Sequence, residues 1–320
     1  MLTVLFATKN RSRLLSDVLE SFCRLESPAC GWKLIVVDNG STDVTSHILA
    51  SFVKRLPLHA LVEPEPGKNS ALNTGLQFIE GDLAVFTDDD VFPRADWLLQ
   101  LRRAADIYTD YTMFGGVIVP RWEAPPPRWV QWVEPSPVFT LTDPAQKAGP
   151  LSPYHVFGPN MAIRTSVFHA GIRFNSSVGP RGSNYAMGGE TELTARLGAL
   201  GHKAWHVPDA IVEHFIRKAQ LNISWVLKRA FRYGRGYYRL FRIYEFDDSS
   251  VGRRLDIPRP LKSEIIDAAI ALRKAGCSFN KEAIFRSCYH LNFLRGQAVE
   301  ARRLIQERRR ESQSVRSHAH

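Results

Sequence analysis

Four short apolar runs near the start of the chain, at 2–7, 34–37, 58–62 and 83–86, each stop abruptly at a cluster of polar residues. Between them the spacing is that of amphipathic helices. Leu14, Leu15, Val18, Leu19 and Phe22 share one face, Val44, Ile48 and Phe52 mark a second helix over 41–54, and a third helical pattern covers 70–79. Trp97, Leu98 and Leu101 mark a fourth over 95–108. Strands that are apolar along their whole length are covered on both faces. The alternation therefore predicts an α/β fold, a mostly parallel central sheet with helices on both sides.

In an open parallel sheet, ligands bind at the carboxyl ends of the strands. Here those ends carry Thr8, Lys9, Asn10 and Arg11; then Asp38 to Asp43; then Glu63, Glu65, Gly67 and Lys68; then Asp88, Asp89 and Asp90. All four sets are expected to face one crevice. Three adjacent carboxylates repel one another unless water or a cation screens them, and their oxygens suit Mg²⁺ or Mn²⁺. A solvated turn capping the next helix is the alternative. Asp38 is placed to accept hydrogen bonds from a ribose or base edge, whereas helix capping alone accounts for Ser41 to Asp43. Lys68 can balance phosphate charge. Turn chemistry alone also accounts for Gly67, Asn69, Asn73 and Gly75.

Further along, 113–119 reads as a strand, and 120–157 is rich in Pro and Trp without a period, which predicts a long, partly ordered loop. A strand over 160–163, a helix over 190–200 and a strand near 210–213 follow. Gly188 and Gly189 lead into that helix, and Glu190 behind them suits a general base beside a substrate hydroxyl. Complementarity to the helix dipole also explains an acid there. His214 follows an apolar run, where a histidine is most often structural. Three helices are expected over 222–246, 262–275 and 281–307, with a disordered polar tail at 308–320. This divides the chain into 1–220, with halves 1–110 and 111–220, a helical extension at 221–307, and the tail.

The net charge is +10, with arginines crowded after Phe215, which favours polyanionic partners. The helix from Trp225, with arginine and aromatic residues all round, is a candidate for an anionic membrane surface. No run of about 18 apolar residues suits a membrane-spanning helix, and the short apolar start lacks a basic leader, so a cytoplasmic protein is expected. Cys23, Cys30, Cys277 and Cys288 lack zinc-site spacing and are expected to be reduced and mostly buried.

The motifs in this order resemble those of the family 2 glycosyltransferases, inverting enzymes of the GT-A nucleotide-sugar fold. Thr8-Lys9-Asn10-Arg11 is similar to the opening Thr-Tyr-Asn-Arg, and Val36 to Asp43 to the nucleoside-binding turn. Gly67 to Gly75, with Asn73, matches Gly-x-x-x-Ala-x-Asn-x-Gly, and Phe86 to Pro93 the Asp-x-Asp segment. Gly158 to Ala162, with Asn160, and Gly188 to Leu193 resemble the acceptor-side segments, and Pro208 to His214 the stretch that closes the core. The resemblance covers roughly residues 1–240.

It implies donor contacts at Asp38, with Asp88 and Asp90 holding ribose and a divalent cation (Mn or Mg), Asp90 the direct ligand. Thr8, Asn10, Arg11, Lys68, Asn73, Asp89, Asn160, Gly188 and Gly189 would line the substrate, and His214 would add a metal or phosphate contact. Many relatives carry an aspartate as base where this chain has Glu190; Glu192 is the weaker substitute. The implied reaction moves a sugar from a nucleotide diphosphate, UDP by default, to a hydroxyl of a glycan or lipid-linked glycan. A sugar nucleotidyltransferase would want a glycine-rich cradle after the first strand, and Thr8 to Ser12 contain no glycine. No nucleic-acid partner is expected, because no basic or aromatic binding signature of that kind occurs.

Overall fold

The computed structural model describes residues 1–182, 185–242 and 257–317. By their contacts the residues form two units. The first comprises Met1–Ala124, Phe139–Ser183 and Gly189–Arg217, and the second Pro125–Val138, Asn184–Gly188 and Lys218–His320.

The strands of the first unit are β1 (Leu2–Thr8), β2 (Trp32–Asp38), β3 (Leu58–Val62), β4 (Leu83–Phe86), β5 (Val91–Pro93), β6 (Met113–Trp122), β7 (Gly149–Leu151), β8 (Met161–Arg164) and β9 (Ala204–Ile216). They form one sheet in the order β3-β2-β1-β4-β8-β6-β9-β5, with β7 added beside β9. The helices are α1 (Ser12–Phe22), α2 (Thr45–Phe52), α3 (Lys68–Gly75), α4 (Trp97–Ile107), α5 (Pro135–Phe139) at the division between units, α6 (Ser166–His169) and α7 (Gly189–Ala199). The first four strands in sheet order are parallel, as their intervening helices require. Beyond β4 the sheet is mixed: β8 runs antiparallel to β4 and β6, while β6 and β9 run parallel.

Leu5, Ile35, Val37 and Phe86 of the central strands are buried in one cluster with Leu72 and Leu76, Phe168 and Phe174, and Leu193 and Leu197. Each such side chain contributes about 1.5–3 kcal/mol by leaving water. The expected face of α1 is the buried one, with Leu15, Val18, Leu19 and Phe22 inside. In α2 the helix starts later than the spacing predicts, and Thr45, Leu49 and Phe52 are buried while Val44 is exposed. The cause is local: Asp38 and Asp43 accept hydrogen bonds from the backbone N–H groups of Ser41 and Thr45, at 2.8 and 3.1 Å, which holds 41–44 in a turn.

The segment 120–157 is more ordered than its composition predicts. β6 runs on to Trp122, a short 3₁₀ turn spans Arg128–Trp132, and β7 pairs with β9. β9 is also longer than the apolar run near 210, because it pairs with β6 from Ala204 to Ile216, with a register shift between Gly116 and Val117, and its histidines His206 and His214 are buried in that pairing.

The second unit is helical. It holds α8 (Ile223–Tyr237), a π-helical turn over Tyr238–Arg242, α9 (Arg259–Cys277) and α10 (Lys281–Ser317). The last four residues of the helix expected to Phe246 lie outside the described residues. α10 continues through Ser317 where low hydrophobicity predicts loss of order from 308; residues 318–320 are again outside. α8 and α10 approach at two glycines: a methyl at Gly234 would sit 1.9 Å from the Phe293 carbonyl, and one at Gly296 2.0 Å from that of Phe231. Glu300, fully buried on α10, accepts hydrogen bonds from Arg235 and Arg239. Tyr233 and Tyr237 each pack 5.2 Å from the Phe293 ring.

All four cysteines are free, and none is buried, contrary to the expected burial. Cys23 follows the end of α1, Cys30 lies in the turn before β2, and Cys277 ends α9, so helix ends and turns expose them.

Candidate active site

Sheet register brings the predicted clusters side by side. β1 lies between β2 and β4, with Thr8 opposite Asp38 and Leu5 opposite Phe86, and Asp38 stands opposite Val62 of β3. The loops after all four strands therefore leave the sheet along one edge.

The acidic turn 88–90 is the centre of this edge. Thr8 Oγ1 donates to Asp89 at 2.8 Å. Arg11 forks across two neighbours, with Nε 3.0 Å from Asp89 and Nη2 3.1 Å from Asp90. Lys68, the first residue of α3, donates through Nζ to both Asp88 and Glu190. After the turn the chain enters β5, too short to be visible in the sequence pattern, and β5 sets Val91 opposite His214 on β9. That register places His214 Nε2 3.5 Å from Asp90. The His214 Nδ1 lies 2.7 Å from the Phe139 carbonyl, which can only accept, so Nδ1 carries a proton and Nε2 faces the carboxylate.

Burial raises the pKa of the buried carboxylates, and the neighbours then divide them. Asp89 is pushed up to about 6 by burial, with Arg11 opposing and Asp90 adding to the rise. Asp88 is likewise raised by burial against the pull of Lys68. For Asp90 burial works in the same direction but is outweighed by the hydrogen bond and charge of His214 and by Arg11, so it is held below the usual carboxylate range. Burial alone would lower Lys68, yet Asp88 and Glu190 more than reverse this and it ends raised. His214 behaves alike: burial lowers it, Asp90 overcomes that, and the result is raised. The acids of the edge are thus balanced by Arg11, Lys68 and His214.

Asp90, just before β5, and His214 on the adjacent β9 offer a hard oxygen and an imidazole nitrogen. Among the described residues no three His, Cys, Asp or Glu side chains converge to enclose an ion. That donor set fits a cation shared with a phosphate and water, as Mg²⁺ and Mn²⁺ prefer, and does not fit a closed structural metal site.

Some predicted residues hold the loops together instead of facing the crevice. Asn10, at φ 52°, accepts from the Thr42 N–H at 2.8 Å and its own N–H donates to Ser41 at 2.9 Å, tying the first loop to the second. Asn73 is not brought to the acidic turn: its amide exchanges two hydrogen bonds with the Phe174 backbone, both 2.9 Å. Asn160 is a correction of the same kind. Fully buried, it accepts from the Trp97 indole at 2.9 Å and donates to the Val117 and Ala210 carbonyls at 2.9 and 2.8 Å, so it pins β6 to β9 and has no donor left for a substrate. Asp38, buried at the end of β2, accepts from Ser41 N–H at 2.8 Å through one carboxylate oxygen. Gly188, at φ 100°, belongs to the second unit. Glu192 pairs with Arg196 one turn along α7, at 2.9 Å, which leaves Glu190 as the acid directed at the acidic turn.

Several residues of the site were not singled out by sequence. Asn39 donates to the Glu63 and Glu65 carbonyls at 2.9 and 2.7 Å and accepts from Gly67 N–H at 2.8 Å, which joins the second and third loops. Asn69 donates to the Asn175 and Val178 carbonyls at 2.8 and 3.0 Å, and a methyl at Gly189 would lie 2.5 Å from its nitrogen. Gly158 leaves room for Glu190 itself: a methyl there would lie 2.7 Å from Glu190 Cγ. Arg217, just past β9, is lowered first by burial and then by Arg11, while Asp90 and Asp89 counteract. It is a cation just past a strand end, the position that located Arg11 and Lys68, and β9 was expected to end earlier, near 213.

Comparison with known proteins gives the family and the fold. A Nostoc sp. protein named beta-monoglucosyldiacylglycerol synthase is 30% identical over 103 residues, 31% of this chain and 22% of that protein, so the chain matches under a quarter of that relative's length. The solved structure of the mannosyltransferase PcManGT from Pyrobaculum calidifontis, in complex with GDP-Man and Mn²⁺, aligns over 94% of this chain and 86% of that one with a TM-score of 0.61 and 18% identity. S. aureus TarS 1-349 in complex with UDP-GlcNAc aligns over 97% and 92% with a TM-score of 0.55 and 15% identity. Both share the GT-A fold. The profile of glycosyl transferase family 2 matches residues 3–171, more than half of the sequence, and the chain is a member of that family.

Proposed function

We propose that the protein is an inverting glycosyltransferase that moves a sugar from a nucleotide diphosphate to a hydroxyl of a glycan or lipid-linked glycan, with the acidic turn and Glu190 as its centre. The observation that carries this is the single side chain of Lys68, which joins Asp88 on the donor side to Glu190 on the acceptor side. UDP is the default nucleotide. Support comes from the UDP-GlcNAc held by one structural neighbour and the GDP-Man and Mn²⁺ held by another, and a diacylglycerol glucoside in the name of a relative supports a lipid acceptor.

Asp38 accepts hydrogen bonds from the nucleoside, and Asp88 from the ribose. Asp90, with His214, would hold a divalent cation. When bound, that ion neutralises the diphosphate and stabilises the charge that grows on it as the glycosidic bond breaks. Arg11 and Arg217 supply further positive charge around the same group. A diphosphate competes for Lys68, and as its ammonium turns to the phosphate, Glu190 loses that ion pair. Glu190 then takes the proton of the acceptor hydroxyl. The acceptor oxygen forms its bond to the anomeric carbon from the face opposite the leaving group, and the electron pair of the broken C–O bond stays with the nucleoside diphosphate. One displacement inverts the configuration, and no sugar–enzyme bond forms.

Replacing Glu190→Gln keeps the shape and removes the base. Donor affinity is expected to stay within a few fold while kcat falls by roughly 10²–10⁴-fold. Near-wild-type kcat, or a product whose anomeric proton coupling reports retained configuration, contradicts the proposal.

A further inference from the structure

The arginines and aromatic rings of α8 first suggested a lipid-facing helix, but much of that helix is committed to packing. Arg235 is buried on Glu300, Arg239 donates to the same carboxylate, and Tyr233 and Tyr237 pack on Phe293. The neighbouring helix α9 is different. Its inner face, with Leu261, Ile265 and Ala268, is in the core of the helical unit. Its outer face should then be polar. Instead Ile266 and Ile270, one turn apart, are 51% and 48% exposed. Along the same stripe, at three- and four-residue steps, stand Arg259 and Lys262 on one side and Arg273 and Lys274 on the other, all exposed.

The turn that ends α9 adds a second oddity. Phe279 follows the C-cap Ser278 with φ 52°, the left-handed position that glycine fills with least strain. Its side chain is 87% exposed, the largest value among the exposed apolar residues. A bulky aromatic held in an unfavourable backbone conformation and pointing into water gains nothing from the fold around it.

We infer that the outer face of α9 and the Phe279 turn form a docking surface for an anionic lipid bilayer. Apolar side chains between flanking cations are the arrangement by which a helix lies in the headgroup region: isoleucine and phenylalanine enter the acyl boundary, and lysine and arginine meet the lipid phosphates. The charge of the region points the same way, with twelve lysines and arginines against five acids between 257 and 310. A second copy of the chain is a poorer occupant. Antiparallel pairing of two α9 stripes sets Lys262 near Arg273, and parallel pairing sets each cation beside itself, so both arrangements repel. The inference goes beyond the catalytic reading and does not depend on it, since none of these residues touches the acidic turn.

Vesicle flotation of the full chain tests it, with phosphatidylcholine vesicles and with vesicles of phosphatidylcholine and phosphatidylglycerol. The expected result is flotation with the anionic vesicles, weakening as salt rises, and none with the neutral ones. Ile266→Glu with Ile270→Glu is expected to lower the bound fraction roughly tenfold or more. Phe279→Gly is the decisive companion, because glycine suits the turn. It should leave the unfolding temperature unchanged or higher, yet weaken vesicle binding roughly three- to tenfold. Donor-sugar hydrolysis in the absence of vesicles is measured on each variant and is expected to match wild type, which separates this inference from the catalytic one. Failure of the wild-type chain to float with anionic vesicles overturns the inference, as does equal flotation of Phe279→Gly. Sedimentation that shows a lipid-free dimer, lost in the isoleucine double variant, also overturns it and assigns the face to self-association.

Discussion

Gly158 stands where any side chain would press on the proposed base, and this makes it a sensitive residue. The added methyl of Gly158→Ala would lie 2.7 Å from Glu190 Cγ and 2.8 Å from Oε1, well inside van der Waals contact. Either Glu190 moves, or the 3₁₀ turn that carries Gly158 does. Overpacking of this kind costs about 1–3 kcal/mol, but a displaced base costs more in rate than in stability, since a misplacement of about 1 Å can lower turnover roughly 10²-fold. Steady-state kinetics and thermal unfolding of Gly158→Ala are expected to show a kcat loss of that order with folding retained. Unchanged kcat would place Glu190 outside the reacting centre. Lys68 is balanced at residue scale too: its charge is kept by two acids, Asp88 and Glu190, and the proposed reaction needs it to exchange one of them for a phosphate.

At the scale of elements, the buried carboxylate of Glu300 governs how α8 and α10 meet. It accepts from Arg235 at 2.7 Å and from Arg239, with Arg303 3.3 Å away on its own helix. Removing a partner from a buried ionic network leaves charge uncompensated, at a cost of about 3–5 kcal/mol. Chemical unfolding of Glu300→Ala is expected to show destabilisation of that size, and a change below about 1 kcal/mol would contradict the network's role. The elements also show how far the sequence could be read. β1 to β4 were legible because apolar runs with helices between them admit few other folds, and their polar ends located Thr8, Arg11, Asp38, Lys68 and the acidic turn. β5 was not legible: three residues carry no period, yet its pairing with β9 is what brings His214 to Asp90. Asn73 and Asn160 have backbone partners that the sequence does not announce, because an amide in a motif reads the same whether it binds a ligand or a backbone carbonyl. Only the hydrogen-bond partners distinguish the two. The start of α2 was misplaced because side-chain bonds from Asp38 and Asp43 compete with the helix.

For the molecule as a whole, stability at mildly acidic pH should depend on His206. This buried residue of β9 has Nδ1 3.1 Å from the Gly115 carbonyl, so that nitrogen carries the proton. Burial lowers its pKa, with the Gly115 and Gln146 backbone and the charge of Asp143 partly opposing. As pH falls below about 6.5 the unfolded chain takes up a proton that the folded chain refuses, so stability falls from there toward the lower folded value, by at most about 1.4 kcal/mol per pH unit. Asp88, Asp89 and His214, whose pKa values are raised, act in the opposite sense over the same range, so the His206 contribution is the difference between two urea-unfolding series. As pH falls, wild type is expected to lose more stability, or gain less, than His206→Asn, and an identical pH dependence would remove His206 from the explanation. The fold brings four strand ends, the acidic turn and Glu190 together. Equilibrium binding of UDP- and GDP-sugars, with Mn²⁺, with Mg²⁺ and with a chelator, on wild type and on Asp90→Asn, measures this most directly. At least one nucleotide sugar should bind wild type only when a divalent ion is present, and Asp90→Asn should lose that metal-dependent part. Binding that ignores both the ion and Asp90, or no binding of any activated sugar, contradicts the proposed centre.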